Sequence, residues 1–473
     1  MRLLFVTHRY PPDGTAGVET YIARLCALAL QRGHEVCVWT AAKDVARREA
    51  TVVRSERDGV PVHAVVENLY GTDFRGTWDD ARKHGAFGEL LDAFRPDAVH
   101  VHHLMYQSVG LLEECARRGV AVLYTLHDFW LGCARFGQLR HADGSRCDRV
   151  DPARCGTCLP SLDWRQPDAA RRVGKGLALL RSATGLDLSG PLARRHRRGA
   201  SAARAAAPAF AAPDAQLAAG FESAVMERNR ALLEAVSAHV DLVLLPSRFQ
   251  APWFEAHGLD AERLRVVPTG LDWDALGAGV ERVRDPDGRT RFLFLGTLVP
   301  HKGAHVLLDA FATLDAAARA RSSLTLHGPA DTDPAYVEGL REQAAAVGAT
   351  LGPRLDRAGV ARALGAADVL VVPSLWLEVR PLVIVEAYAA GLRVVASDLG
   401  GMAELLGEGI GGRTFAAGDA AALADALVAE VGLDAPEPEP APAPSAAFPT
   451  WDAMFDSVIE ATEEARALRQ DRA

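Results

Sequence analysis

Glu378 and Glu386 stand eight residues apart in the run Ser374-Leu-Trp-Leu-Glu-Val-Arg-Pro-Leu-Val-Ile-Val-Glu-Ala387. An apolar strand, Asp368 to Pro373, is predicted to end just before this run, and a helix to open at Leu382. Proline suits a helix start, where the first-turn amides have no intrahelical partner. Those free N–H groups and the helix dipole attract an anion such as a pyrophosphate. Glu386 falls about one turn further in. A carboxylate there would repel the phosphate but can accept two hydrogen bonds from the vicinal diol of a ribose. Glu378, on the turn, reaches the other side of the phosphate, where a sugar would sit. The run therefore reads as a nucleotide-sugar site. Spacing alone leaves open a buried strand and helix with two surface glutamates.

The elements that must position these residues follow from the hydrophobic pattern. Strands are predicted at Leu3–Thr7, Glu35–Thr40, Val62–Val66, Ala98–His102, Ala121–Leu126, Leu242–Pro246 and Leu264–Val267. Amphipathic helices such as Val18–Arg32 and Gly85–Phe94 lie between several of them. Continuous apolar strands separated by helices imply a parallel sheet covered on both faces. The pattern restarts at Arg291–Gly296, after the polar linker Arg284–Arg289, and continues through Leu324–Leu326, Val369–Val372 and Val394–Ala396. The expected fold is α/β, with two Rossmann-like doubly wound domains facing a cleft at the carboxyl ends of their strands. The expected boundaries are 1–280, carrying a cysteine loop (133–158) and a basic insertion (165–220), then 288–433. A proline-rich spacer (434–450) and a final helix (451–473) follow.

At 473 residues and 49% hydrophobic, the chain can bury two sizeable cores. A formal net charge of −9 argues against a nucleic-acid partner. The start of the chain does not read as a signal peptide, and no apolar stretch approaches the roughly 20 residues needed to span a bilayer. Seven cysteines in so long a chain suit a reducing compartment, so a cytoplasmic location is expected. From residue 171 to 204, nine Lys/Arg (171, 172, 175, 181, 194, 195, 197, 198, 204) face one acid, Asp187. That segment is either a solvated insertion or a basic face for peripheral contact with an anionic membrane, such as the inner face of a plasma membrane.

Further elements complete a resemblance to the retaining glycosyltransferases of family 4, which have the GT-B fold. The two glutamates match that family's Glu-x7-Glu motif. The loop Tyr10–Glu19 resembles its Gly-Gly-hydrophobic-Glu element, with Ala16 at the first glycine and Gly17 at the second. Gly33-His-Glu-Val36 also resembles the family. His127-Asp128, closing a strand, resembles the strand-end histidine that contacts the donor sugar. Leu295–Gly303 resembles Gly-Arg-x4-Lys-Gly, with Lys302 at the lysine and Thr297 where arginine is usual. Ala396–Glu404 brings a Gly-Gly turn after a strand. The resemblance covers residues 1 to about 468, leaving the basic insertion and the spacer unmatched.

This resemblance implies transfer of a sugar from a nucleoside-diphosphate sugar to the hydroxyl of a glycan, a lipid-linked glycan or a small molecule. Anomeric configuration would be retained, without a catalytic metal. It assigns Glu386 to the ribose and Glu378 to the donor sugar. Lys302 and the amides of Leu382 and Val383 fall to the diphosphate, with Arg380 a candidate for the charge missing at Thr297. His127 falls beside the anomeric centre. Apart from the resemblance, His100, His102 and His103 follow the preceding strand in a similar place, and His102 or His103 is expected to meet the acceptor. A final helix crossing back onto the N-terminal domain is also implied. An epimerase or hydrolase of the same fold, or a non-catalytic sugar-nucleotide binder, are the rival readings.

Cys133, Cys147, Cys155 and Cys158 follow His127, the last two as Cys-x2-Cys. Their spacing suits a tetrahedral thiolate site for structural zinc, against free thiols or two disulfides. The loop holds turn formers and little apolar content, so zinc is expected to supply its order. A subset of family 4 enzymes carries a similar loop, beside the acceptor site.

Overall fold

The computed structural model describes residues 1–12, 17–71, 73–186, 188, 211–276, 280, 283, 285–432 and 444–472. Ala16, the basic residues from 194 to 204 and most of the spacer lie outside these residues.

Two sheets carry the molecule. The first contains β1 (Arg2–Val6), β2 (Glu35–Ala42), β3 (Val52–Arg57), β4 (Val60–Val66), β5 (Ala98–Val101), β6 (Ala121–Thr125), β7 (Leu242–Leu245) and β8 (Leu264–Val266). Their order is β3-β4-β2-β1-β5-β6-β7-β8, parallel except for the β3–β4 pair. The second contains β9 (Thr290–Leu295), β10 (Ser322–His327), β11 (Thr350–Gly352), β12 (Val369–Val372), β13 (Arg393–Ser397) and β14 (Gly412–Phe415). Its order is β11-β10-β9-β12-β13-β14, parallel throughout.

Alternation along β1 explains why both faces must be covered. Leu4 and Val6 enter one core with Trp39, Phe87 and Leu245. Leu3 and Phe5 enter the opposite one with Ile22 and Leu25. The helix Trp451–Asp471 completes that second core with Met454, Phe455 and Val458. Thr450 caps this helix by accepting from Ala453 N–H, and Arg32 pairs with its Asp452 and Asp456. The final helix thus crosses back onto the first sheet, as expected.

Three strands were not foreseen: β3, β11 and β14. All are short or at sheet edges, and β3 is largely exposed, so none has the apolar run that marks a central strand. β3 joins β4 through Asp58-Gly59, both with positive φ (49° and 78°), as a tight hairpin requires.

Candidate active site

Each sheet reverses its strand order once beside its first strand, between β1 and β5 and between β9 and β12. Adjacent connections leave toward opposite faces there, opening a crevice at the carboxyl ends. The two crevices meet in a cleft of about 360 Å³. Gly17, Val18, Tyr21 and His127 line it from one side, and Gly296, Thr297, Lys302, Ser374, Glu378, Leu382 and Val383 from the other.

On the second-domain side, Lys302 and Glu378 form a direct ion pair. Ser374 Oγ donates to Glu378 Oε1 at 3.1 Å, and the Lys302 ammonium lies 5.1 Å from the Trp376 ring. Burial would raise the Glu378 carboxyl, but Lys302, Trp376 and Ser374 outweigh it and hold the group below its ordinary value. Gly303 (φ 73°) makes this possible: a Cβ there would sit 1.8 Å from the Pro373 carbonyl, so only glycine lets Lys302 approach the end of β12.

The helix Leu382–Ala389 opens on Pro381, which has no side-chain cap. Leu382 and Val383, its first residues, line the cleft. Glu386 lies one turn deeper and is absent from the cleft lining. Burial raises its carboxyl, against the opposing charge of Arg357. The two glutamates therefore occupy different surroundings: Glu378 is buried and ion-paired with Lys302, whereas Glu386 is half-buried one turn deeper in the helix.

The first-domain side is built of imidazoles at strand ends. His102 Nδ1 lies 3.1 Å from His127 Nε2, and the Tyr21 ring meets His127 edge-on at 5.1 Å. Burial pushes His127 down to about 3 and His102 well below its ordinary value, so both are neutral near pH 7. Behind them His103 Nε2 pairs with Asp128 Oδ2 at 3.1 Å, and His8 Nε2 with Glu19 Oε1 at 3.3 Å. The His8 and His103 rings are 4.8 Å apart. His8 was not singled out from the sequence, and it stands behind the cleft lining beside His103. Its signal was available, because it follows β1 as His127 follows β6.

Residues 289–430 match a family model described as glycosyl transferases group 1, and residues 15–150 one described as glycosyltransferase family 4. The chain belongs to the family 4 glycosyltransferases. Over 177 residues it is 37% identical to the phosphatidyl-myo-inositol mannosyltransferase of Mycobacterium leprae, covering 37% of this chain and 45% of that one. The chain spans about half the length of the curated relatives it matches. HepE from Anabaena, solved with UDP and glucose, has a TM-score of 0.58 at 16% identity, covering 98% and 99% of the two chains. A sucrose-phosphate synthase from Thermosynechococcus elongatus reaches 0.61 at 16% identity, with the same coverage. These likenesses show the fold, which is GT-B.

Two expectations for this family 4 glycosyltransferase need correction. Arg380 borders the cleft, but its guanidinium bonds the Ala447 carbonyl and lies 3.9 Å from Glu408, packed beside Phe448. It fastens the segment returning to the first domain, an arrangement that does not favour a role at the diphosphate. The second correction concerns zinc. Cys133, Cys147, Cys155 and Cys158 do face one small cavity of about 30 Å³. Among the described residues, however, no group of three or more His, Cys, Asp or Glu side chains is arranged to hold a metal, so structural zinc is not supported. Packing orders the loop: Trp130, Leu131, Leu139 and Leu159 join the first-domain core. Arg228 is buried beneath the loop, donating to the Trp130 carbonyl at 2.7 Å. Burial raises Cys133 to about 11 and Cys155 to about 12, which keeps these thiols protonated.

Proposed function

We propose that this family 4 glycosyltransferase moves a sugar from a nucleoside-diphosphate sugar to an acceptor hydroxyl with retained anomeric configuration. The observation that carries this reading is the Lys302–Glu378 pair, which shares one cleft with the first residues of the helix Leu382–Ala389 and with His127. In this reading the amides of Leu382 and Val383 and the Lys302 ammonium receive the diphosphate, Glu386 the ribose and Glu378 the sugar hydroxyls. Thr297 and Gly17 let the donor approach the backbone from either side. The donor class draws support from the neighbour solved with UDP and glucose.

Glu378 is the one carboxylate among the described residues lining the cleft, and it is committed to Lys302 and Ser374. That favours front-face attack over a covalent glycosyl-enzyme. The acceptor oxygen bonds to the anomeric carbon as the bond to the leaving phosphate breaks, and the phosphate oxygen takes the hydroxyl proton. Lys302 stabilises charge growing on the diphosphate. His127, neutral, hydrogen-bonds sugar or acceptor without adding charge, and His102 with His103 backs the acceptor side. The acceptor is a glycan, a lipid-linked glycan or a small molecule.

No helix among the described residues is long and apolar enough to cross a membrane. Peripheral contact with an anionic surface remains part of this reading. It is supported by the helix Asp168–Thr184, where Arg172 and Lys175 are exposed beside exposed Val173 and Leu179.

The test is nucleotide release from a panel of donors, with and without acceptors, together with Glu386→Ala. The variant should stay folded and bind donor at least about tenfold more weakly, because it loses charged hydrogen bonds of roughly 1.5–3 kcal/mol each. Nucleotide release with no transferred sugar for any acceptor would replace transfer with hydrolysis. Unchanged donor affinity by calorimetry would remove Glu386 from the site.

A further inference from the structure

Glu404 belongs to the helix Gly400–Gly407 of the second domain, yet its carboxylate is spent on the first. Oε1 accepts the backbone N–H of Arg248 at 2.9 Å, and Oε2 that of Phe249 at 2.6 Å. These amides open the short turn Arg248–Gln250 that follows β7, where Ser247 provides no side-chain cap. A carboxylate from the other domain therefore does the capping. Both bonds are charge-assisted, the stronger class of hydrogen bond.

Each end of this contact leads to the cleft. On the first-domain side, the Gln250 side chain is fully buried, and its Nε2 donates to the carbonyl of Leu126 at 2.9 Å. Leu126 is the residue before His127. The Phe249 ring lies 5.9 Å from Phe129, two residues after His127. On the second-domain side, Gly401 N–H donates to the Glu378 carbonyl at 2.8 Å. A Cβ on Gly401 would sit 1.9 Å from the Val379 carbonyl, and one on Gly400 3.1 Å from the Phe249 ring. The two glycines thus let one helix end touch both the Glu378 loop and Phe249. Val379 packs in the first-domain core with Leu245 and Phe254.

We infer that Glu404 is a positioning residue for transfer, capping residues 248–249 across the domain boundary so that the peptide carrying Glu378 is set against the one carrying His127. This rests on the transferase reading for its kinetic consequence but not for its structural one. Glu404 is not among the residues lining the cleft. It fixes the separation of the two groups between which the anomeric carbon must lie, and rates are sensitive to such placement.

The test is Glu404→Gln in the full chain. Glutamine keeps the size but offers one acceptor oxygen, and its amide nitrogen meets the second backbone N–H as donor against donor. Amide hydrogen exchange should quicken at residues 247–250 and also at 376–379, because both segments lose the same anchor. Donor affinity should stay within about threefold of wild type, while turnover falls about tenfold or more, as expected for a lost charged hydrogen bond. Faster exchange at 247–250 with no change at 376–379 would reduce Glu404 to a local cap and overturn the inference. Wild-type turnover would also overturn it. Should Glu404→Gln fail to fold, Gln250→Leu tests the same link from the other domain: turnover should drop and exchange quicken near His127, with donor affinity kept. Intact turnover in that variant would equally sink the idea. The exchange results stand even where no donor supports transfer, so failure of this inference and failure of the proposed activity are separable.

Discussion

At the ends of β9 and β12 the cleft is faced by an ammonium and a carboxylate held together, Lys302 and Glu378. At the ends of β5 and β6 it is faced by imidazoles that burial keeps neutral, His127 and, behind it, His102. Both rims come from the same architecture, a strand end at a point where strand order reverses. They differ in what surrounds the titratable group. Lys302 and Glu378 stabilise each other's charge, so burial does not neutralise Glu378. Desolvation dominates at His100, His102 and His127, and at His127 it outweighs the opposing charges of Asp128 and Glu19. In the proposed reading, fixed charge lies on the diphosphate side of the cleft and neutral imidazoles on the acceptor side. A low-dielectric wall also strengthens the field of the charged rim.

The largest effect is expected from removing the charge at Lys302. Lys302→Ala should lower turnover on the order of a hundredfold, as loss of one transition-state stabilising donor does. Donor affinity should fall less, because the charge matters most as the bond breaks. Equal losses in steady-state kinetics and calorimetry would show Lys302 to be a ground-state binder only.

Next in size is the acid response of the neutral rim. His100 bonds Thr125 Oγ1 at 2.7 Å and is held down to about 3 from an ordinary value of 6.5. A histidine depressed on folding takes up its proton only when unfolded, so stability is lost as pH falls below the ordinary value toward the folded one. Between pH 7 and pH 5 this single group should cost about 2 kcal/mol, at roughly 1.4 kcal/mol per pH unit once below the unfolded value. Denaturant titrations at the two pH values measure it. His100→Gln should be less stable at pH 7 but show a shallower fall to pH 5, and an unchanged slope would dissociate the acid response from this histidine.

The smallest effect is expected at Arg380, which borders the cleft but is bonded to the Ala447 carbonyl. Arg380→Ala should destabilise the fold by roughly 1.5 kcal/mol through the lost bond to the Ala447 carbonyl, with donor affinity unchanged. A clear loss of donor affinity, with stability kept, would return Arg380 to the diphosphate.

Much of this molecule was legible because its central strands are continuous apolar runs. β1, β2, β5, β6, β7, β9, β12 and β13 each announce themselves, being buried on both faces. The edge strands β3, β11 and β14 did not, since a strand paired on one side keeps polar residues. The candidate donor residues were legible for different reasons: Pro381 marks a helix start, the spacing of Glu378 and Glu386 suggested a nucleotide sugar, and Lys302 and Gly303 were found through the resemblance to family 4. Arg380 shows the limit. Its neighbours in sequence pointed to the cleft, while its partner Ala447 lies 67 residues away in a segment with no pattern that could signal the contact. The cysteine loop shows another limit. Its spacing suggested a metal, but Leu131, Leu139 and Leu159, scattered too thinly to read as a periodic face, converge in the core only once the chain is folded.

The sequence alone settled the parallel cores of the two sheets, the final amphipathic helix and the residues offered at each strand end. These are properties of short segments, fixed by side-chain period and by what a strand end or helix start tolerates. Tertiary structure alone decided which of those residues meet. It paired Lys302 with Glu378 and His127 with His102, buried the imidazoles deeply enough to stay neutral, and set Glu404 on amides of the other domain. Each of those outcomes depends on distances between segments remote in the chain and on the burial that packing produces. Coulomb energies and desolvation follow those two quantities, and neither can be read from neighbours in sequence.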